Sequence, residues 1–174
     1  APLDNLGVNN YFPTRVRAAR DGEDGSNPMP GCDGVIELAP QGPLTAMGWE
    51  QSPKSHQLII ERSARESGLP IYITENGSAW EDTVSDDGAV HDPERVNYLH
   101  EHLGAVADAI EGGTDVRGYF AWSLLDNFEW AYGYGRRFGI IHVDYDTQKR
   151  TIKDSGLEYA QIIANEHART RGDR

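Results

Sequence analysis

Residues 71–77 read Ile71-Tyr72-Ile73-Thr74-Glu75-Asn76-Gly77 and follow Pro70. A run rich in β-branched and aromatic residues, bounded by Pro and by Asn-Gly, predicts a short buried strand that ends in a sharp turn. Glu75 would then hold its carboxylate on rigid backbone at the mouth of a pocket. The plainer alternative is an acidic residue that opens a surface loop, and position alone does not separate the two.

Working outward, Ser52-Pro53 predicts a helix start, with Ser as N-cap and Pro at the first helical position, and Gly68 predicts its stop. Asp92-Pro93 opens a second helix whose Val96, Leu99, Leu103, Val106 and Ile110 share one face, and Gly112-Gly113 ends it. Leu6 to Tyr11 and Val116 to Trp122 read as further strands. Phe138 to Tyr145, returning through Thr151-Ile152, predicts a hairpin over about 138–153. Ser155 and Glu158 form a capping box for a last helix over about 156–168. The stretch from 20 to 48, which begins RDGEDGSNPMPGCDG, predicts one long loop.

The order β-α-β-α-β-hairpin-α predicts an α/β fold with parallel strands joined by crossover helices. A doubly wound sheet and part of an eight-stranded barrel both fit that order. No G-x-G-x-x-G follows the first strand, so the doubly wound reading lacks its dinucleotide fingerprint. Polar and aromatic residues at the strand ends favour the barrel, whose active sites are built there. A closed barrel needs about 200 residues or more, and three strands cannot close one.

Composition narrows the partners. With 16 Lys and Arg against 28 Asp and Glu, the net charge is −12, which argues against nucleic acid and anionic membranes. No apolar run approaches the roughly 20 residues of a membrane helix. Ala-Pro-Leu-Asp at the start has neither a basic nor an apolar signal region. A cytoplasmic domain is expected, with further sequence before Ala1. Cys32 is the single cysteine, which excludes an internal disulfide. The six histidines lack metal-ligand spacing, so no metal or other cofactor is expected. Arg136-Arg137 is too short for a nucleic-acid patch and reads as a loop anchor to a carboxylate.

The segment Trp122 to Trp130 places aromatics beside Asp126, Asn127 and Glu129. Aromatic faces stack on the C–H surface of a sugar while carboxylates and indole N–H groups bond its hydroxyls. Phe120 and Leu124 read instead as core. Glu129 beside Trp130 reads as site, because a polar-aromatic pair fills a core poorly. Tyr11, at the end of the first strand, is placed to donate to Glu75 across the strand ends, or else to pack under the long loop.

The run Ile71–Gly77 resembles the I-T-E-N-G motif of glycoside hydrolase family 1, the retaining β-glucosidases and their relatives. Asp92-Pro93-Glu94-Arg95 with Tyr98-Leu99 and His102-Leu103 is similar to the family's next helix. Gly118 to Ser123, Glu129-Trp130, Gly133-Tyr134 and Arg137-Phe138-Gly139 resemble its last strand and loop, and Leu6 to Tyr11 its sixth strand. Asn10 stands where the family usually has an aromatic.

The resemblance implies the C-terminal part of a (β/α)8 barrel, strands six to eight. It implies Glu75 as nucleophile, Tyr11 as its hydrogen-bond donor, Trp122 as the floor under the sugar, Glu129 and Trp130 as hydroxyl ligands, and Phe138 and Asn9 as pocket residues. It also implies an acid/base glutamate in an N-E-P motif outside these residues, supplied by the N-terminal part of the same barrel. Asn165-Glu166-His167 is not that motif. The implied substrate is a β-glucoside or cello-oligosaccharide. Glu129 points to unphosphorylated sugars, since a carboxylate there repels phosphate. The competing expectation is an incomplete half-barrel that only binds sugars or joins a complementary chain.

Overall fold

The computed structural model describes residues 2–26 and 29–172. Its centre is a three-stranded parallel sheet made of β1 (Leu6–Asn9), a strand at Ile71–Asn76 and a strand at Val116–Ala121, with the middle one in sequence also central in space. Between the first two lie β2 (Val16–Ala18), β3 (Val35–Glu37) and α1 (Pro53–Ser67), so the central strand is β4. Helix α2 (Pro93–Glu111) leads to β5 (Val116–Ala121). Then come β6 (Ile141–Val143), β7 (Arg150–Ile152) and α3 (Asp154–Gly172).

Helix α1 starts where Ser52 accepts a bond from the Ser55 N–H and Pro53 presets the first turn, and it stops at Gly68 with φ 68°. α1 and α2 pack on one face of the sheet, where Val8, Ile60, Ile71, Ile73, Val106 and Ala109 form the core. Ile71 and Ile73 are buried there while Thr74, one position out of phase, is exposed. No helix among the described residues is long and apolar enough to cross a membrane.

Among the described residues nothing covers the opposite face of the sheet. Phe120 lies 59% exposed and Leu124 62% exposed, so neither fills the core that their hydrophobicity predicts. Phe120 follows the pleat onto the bare face, because it is Tyr119 that packs against the helix-side core. The polar stretch from 20 to 48 is not one loop either. Val35-Ile36 pairs with β2 as an antiparallel hairpin, Val16 opposite Glu37 and Ala18 opposite Val35, because β-branched residues hold a strand even in Gly- and Pro-rich surroundings.

The last helix departs from its predicted cap. It begins at Asp154, and Ser155 donates its hydroxyl to Asp92 Oδ2 at 2.6 Å and its N–H to Oδ1 at 2.9 Å. The buried Asp92 carboxylate thus occupies the N-terminus of α3 and satisfies its donors more strongly than a local Ser-Glu box would. β6 and β7 pair antiparallel, Ile141 opposite Ile152 and Val143 opposite Arg150.

Candidate active site

Parallel register sets the three strand ends side by side. Asn9 lies opposite Glu75 and Asn76 opposite Ala121, and both pairings shift register just before those residues. Asn76 locks the ends together. Its amide donates to the Asn10 carbonyl at 2.7 Å and to the Tyr98 hydroxyl at 3.0 Å, while Tyr119 donates to its Oδ1 at 2.8 Å. Both N–H donors and the oxygen of this fully buried amide are engaged. Asn76 is therefore the last residue of β4 and a cross-brace, not a turn residue.

Glu75 is half-buried, and the Tyr11 hydroxyl donates to its Oε2 at 2.6 Å. Tyr11 is held by rings: Trp49 lies 5.4 Å away and Phe138 6.0 Å away at 78°. Phe138 is buried and also meets Trp49 at 5.9 Å. Burial, the bond to Glu75 and the charges of Glu75 and Glu129 all push the Tyr11 phenol well above its ordinary pKa. It remains a proton-bearing donor at any physiological pH.

Glu129 is half-buried. Burial first, and the charge of Glu75 second, raise its carboxyl above the usual range. The two carboxylates thus feel one another. Trp122 follows β5, half-buried, with its backbone N–H donating to the Asn76 carbonyl at 2.8 Å and a cis peptide to Ser123. A Cβ on Gly77 would lie 1.8 Å from the Trp122 carbonyl oxygen, so only glycine permits that approach. Trp130, with φ 41°, opens a single 3-10 turn and is 81% exposed. Asn9 is exposed and accepts from Thr74 Oγ1 at 2.6 Å.

Of the residues read from sequence, Tyr11, Glu75 and Phe138 come together, Glu129 lies within electrostatic range of the pair, and Trp122 borders it through Asn76. Trp130 and Asn9 stand apart from these contacts. Sequence reading did not single out Trp49, which lies just past the predicted loop and three residues before the N-cap Ser52. Tyr98 enters the sequence reading through the family resemblance alone, with no place beside the site.

A buried ion cluster backs this face. Arg95, 2% exposed, donates to the Ser78 and Arg137 carbonyls at 3.2 and 2.9 Å, to both oxygens of Asp82, and to Asp92. Lys153 joins Asp82 at 2.5 Å to Asp126 at 2.8 Å. Arg137 donates to Asp126 Oδ2 at 2.6 Å, and Arg136 to Glu81 at 2.7 Å, so this pair does anchor loops through carboxylates.

Residues 1–168 match the model of Glycosyl hydrolase family 1. The chain belongs to this family. Among family relatives, β-glucosidase A of Thermotoga maritima is 53% identical over 124 residues, covering 71% of this chain and 28% of that protein. The bifunctional β-D-glucosidase/β-D-fucosidase of Bifidobacterium breve is 44% identical over 177 residues, 97% of this chain and 38% of its own length. The solved family 1 β-glucosidase from Thermotoga maritima superposes with TM-score 0.85 at 44% identity, over 94% of this chain and 35% of that one. The same enzyme in complex with deoxynojirimycin gives TM-score 0.85 at 45% identity. The matched family 1 structures are eight-stranded α/β barrels, not doubly wound sheets, and the chain covers part of them. It spans about a third of the length of these relatives.

Proposed function

We propose that this chain carries the nucleophile side of a retaining β-glucosidase, acting on terminal β-D-glucosyl residues. The observation that carries the reading is the Tyr11–Glu75 hydrogen bond at the end of β4. The phenol occupies Oε2 and leaves Oε1 to attack the anomeric carbon. As the C–O bond to the leaving group breaks, Glu75 becomes a glycosyl ester, and water later releases the sugar. Trp122, Phe138, Glu129 and Trp130 would hold the sugar, with Asn9 at its edge. The names of the relatives support the substrate class.

In this reading β1, β4 and β5 are the sixth, seventh and eighth strands of the barrel. A retaining glycosidase needs a second carboxyl group about 5–5.5 Å from the first, as acid/base. Glu129 serves as a sugar ligand, and Asn165-Glu166-His167 lies on α3. As the resemblance to family 1 implies, the acid/base in this reading comes from sequence outside these 174 residues. The exposed Phe120, Leu124 and Trp130 favour a second reading for the chain in isolation, a half-barrel that associates with a complementary chain. The test is Glu75→Gln in the full-length enzyme that contains this chain: turnover of an aryl β-glucoside should be abolished, and unchanged turnover would remove the assignment.

A further inference from the structure

Six charged side chains link the segments that frame Glu75 and Glu129. Asp82 follows β4, Asp92 and Arg95 begin α2, Asp126 and Arg137 follow β5, and Lys153 joins β7 to α3. Three carboxylates balance three cations. The Lys153 and Asp126 side chains are fully buried, and Asp82 and Arg95 are 2% exposed.

Asp126 and Arg137 are the two feet of segment 127–136, which carries Glu129 and Trp130. Asp126 Oδ2 receives Arg137 Nη1, and its Oδ1 receives Lys153 Nζ and the Gly139 N–H at 3.0 Å. Arg137 also donates to the Val143 carbonyl at 2.9 Å. Above this neck, Glu129 and Gly133 close a short turn on themselves at 2.7 Å, while Trp130 stands in the open. Asn127 on Ser123 Oγ at 2.9 Å, Arg136 on Glu81 at 2.7 Å and the Tyr134 ring 4.4 Å from Tyr145 also hold the segment, and the neck is its buried anchor. Buried ion clusters add little net stability over apolar packing, but removing one member leaves a charge uncompensated, so the geometry is fixed only while the set is complete.

We propose that Lys153 is a positioning residue for sugar recognition: through Asp126 and Arg137 it fixes the neck of segment 127–136 and with it Glu129. The inference rests on the reading of Glu129 as a sugar ligand. Lys153 itself touches no part of the strand-end pocket residues named above, and its partners are Asp82 and Asp126. An effect on substrate must pass either through Asp126 into segment 127–136 or through Asp82 and Arg95 to the Ser78 carbonyl beyond β4, and dependence on Glu129 separates the two routes.

The test uses the full-length enzyme that contains this chain, with Lys153→Met and Lys153→Arg made in the parent and in Glu129→Gln. An aryl β-glucoside gives kcat and KM, and covalent labelling of Glu75 is followed in parallel. Lys153→Met should lower kcat/KM about tenfold in the parent and less than about twofold in Glu129→Gln, since both changes remove one interaction. Lys153→Arg should recover part of the loss. Arg137→Lys is a gentler break of the same neck, usable if Lys153→Met fails to fold, and should show the same dependence on Glu129. Equal losses in both backgrounds would overturn the proposal. A parent enzyme that is not labelled at Glu75, or whose KM ignores Glu129→Gln, would instead withdraw the functional reading and this inference with it.

Discussion

Tyr11 and Glu75, 64 positions apart, meet in a 2.6 Å hydrogen bond from phenol to carboxylate. The bond joins the ends of adjacent parallel strands, and the ring of Phe138 fixes the phenol from the side. A hydrogen bond to a charged group contributes about 1.5–3 kcal/mol. Tyr11→Phe should therefore reduce kcat/KM by about 10- to 100-fold, with the fold intact. Steady-state kinetics on an aryl β-glucoside checks this, and a change under twofold would place the phenol outside the reaction.

Glu129 titrates above its ordinary range because it is partly buried and because Glu75 is negative. Glu75→Gln removes that charge, so the Glu129 pKa should fall toward the usual carboxylate value. A carboxyl-detected NMR titration reads the shift directly. No movement would mean that the two groups do not share a pocket.

Arg95 is the centre of the buried cluster, and all its donors are engaged by Ser78, Arg137, Asp82 and Asp92. Arg95→Met leaves two carboxylates short of a partner and should destabilise by about 3–5 kcal/mol. Denaturant unfolding measures it, and a loss below about 1 kcal/mol would show that the cluster relaxes or takes in water.

The imidazoles of His56 and His102 meet between α1 and α2, 5.5 Å apart and tilted by 40°, and His56 has no hydrogen-bond partner among the described residues. Burial pushes His56 down to about 3 and His102 to about 4. Both are neutral when folded and take up protons when unfolded. Their contribution is complete above the ordinary value near 6.5 and is lost as pH falls toward the folded values, at about 1.4 kcal/mol per pH unit for each proton. His56→Leu should remove about one proton's worth of that slope between roughly pH 6 and 4. Melting temperatures across that range test it, and an unchanged slope would contradict it.

The elements that position the pocket were readable because their signals are local. Ser52-Pro53 and Gly68 bound α1, and the β-branched run before Glu75 marks β4. What stayed hidden depends on partners distant in sequence. Asn76 reads as a turn residue until Asn10, Tyr98 and Tyr119 are brought around it. Ser155 reads as a cap until Asp92 reaches it from 63 positions away. Phe120 reads as core because hydrophobicity does not say which face of a sheet is covered. The charge cluster was hidden for the same reason: Asp82 and Lys153 carry no local signal of pairing, and Asp126 reads as part of a sugar site until Arg137 and Lys153 are brought to it. Glu75 was the exception, since a strand end holds a side chain wherever the rest of the chain goes.

The central claim is that Glu75 attacks the anomeric carbon. A 2-fluoro β-glucoside with a very good leaving group tests it, because such a leaving group needs little help from a general acid. The full-length enzyme that contains this chain is treated with the reagent and then examined by intact mass and peptide mapping. The account predicts one fluoroglucosyl group, on the peptide containing Glu75, and none in Glu75→Gln. A label on any other carboxylate, or turnover without label, would contradict it.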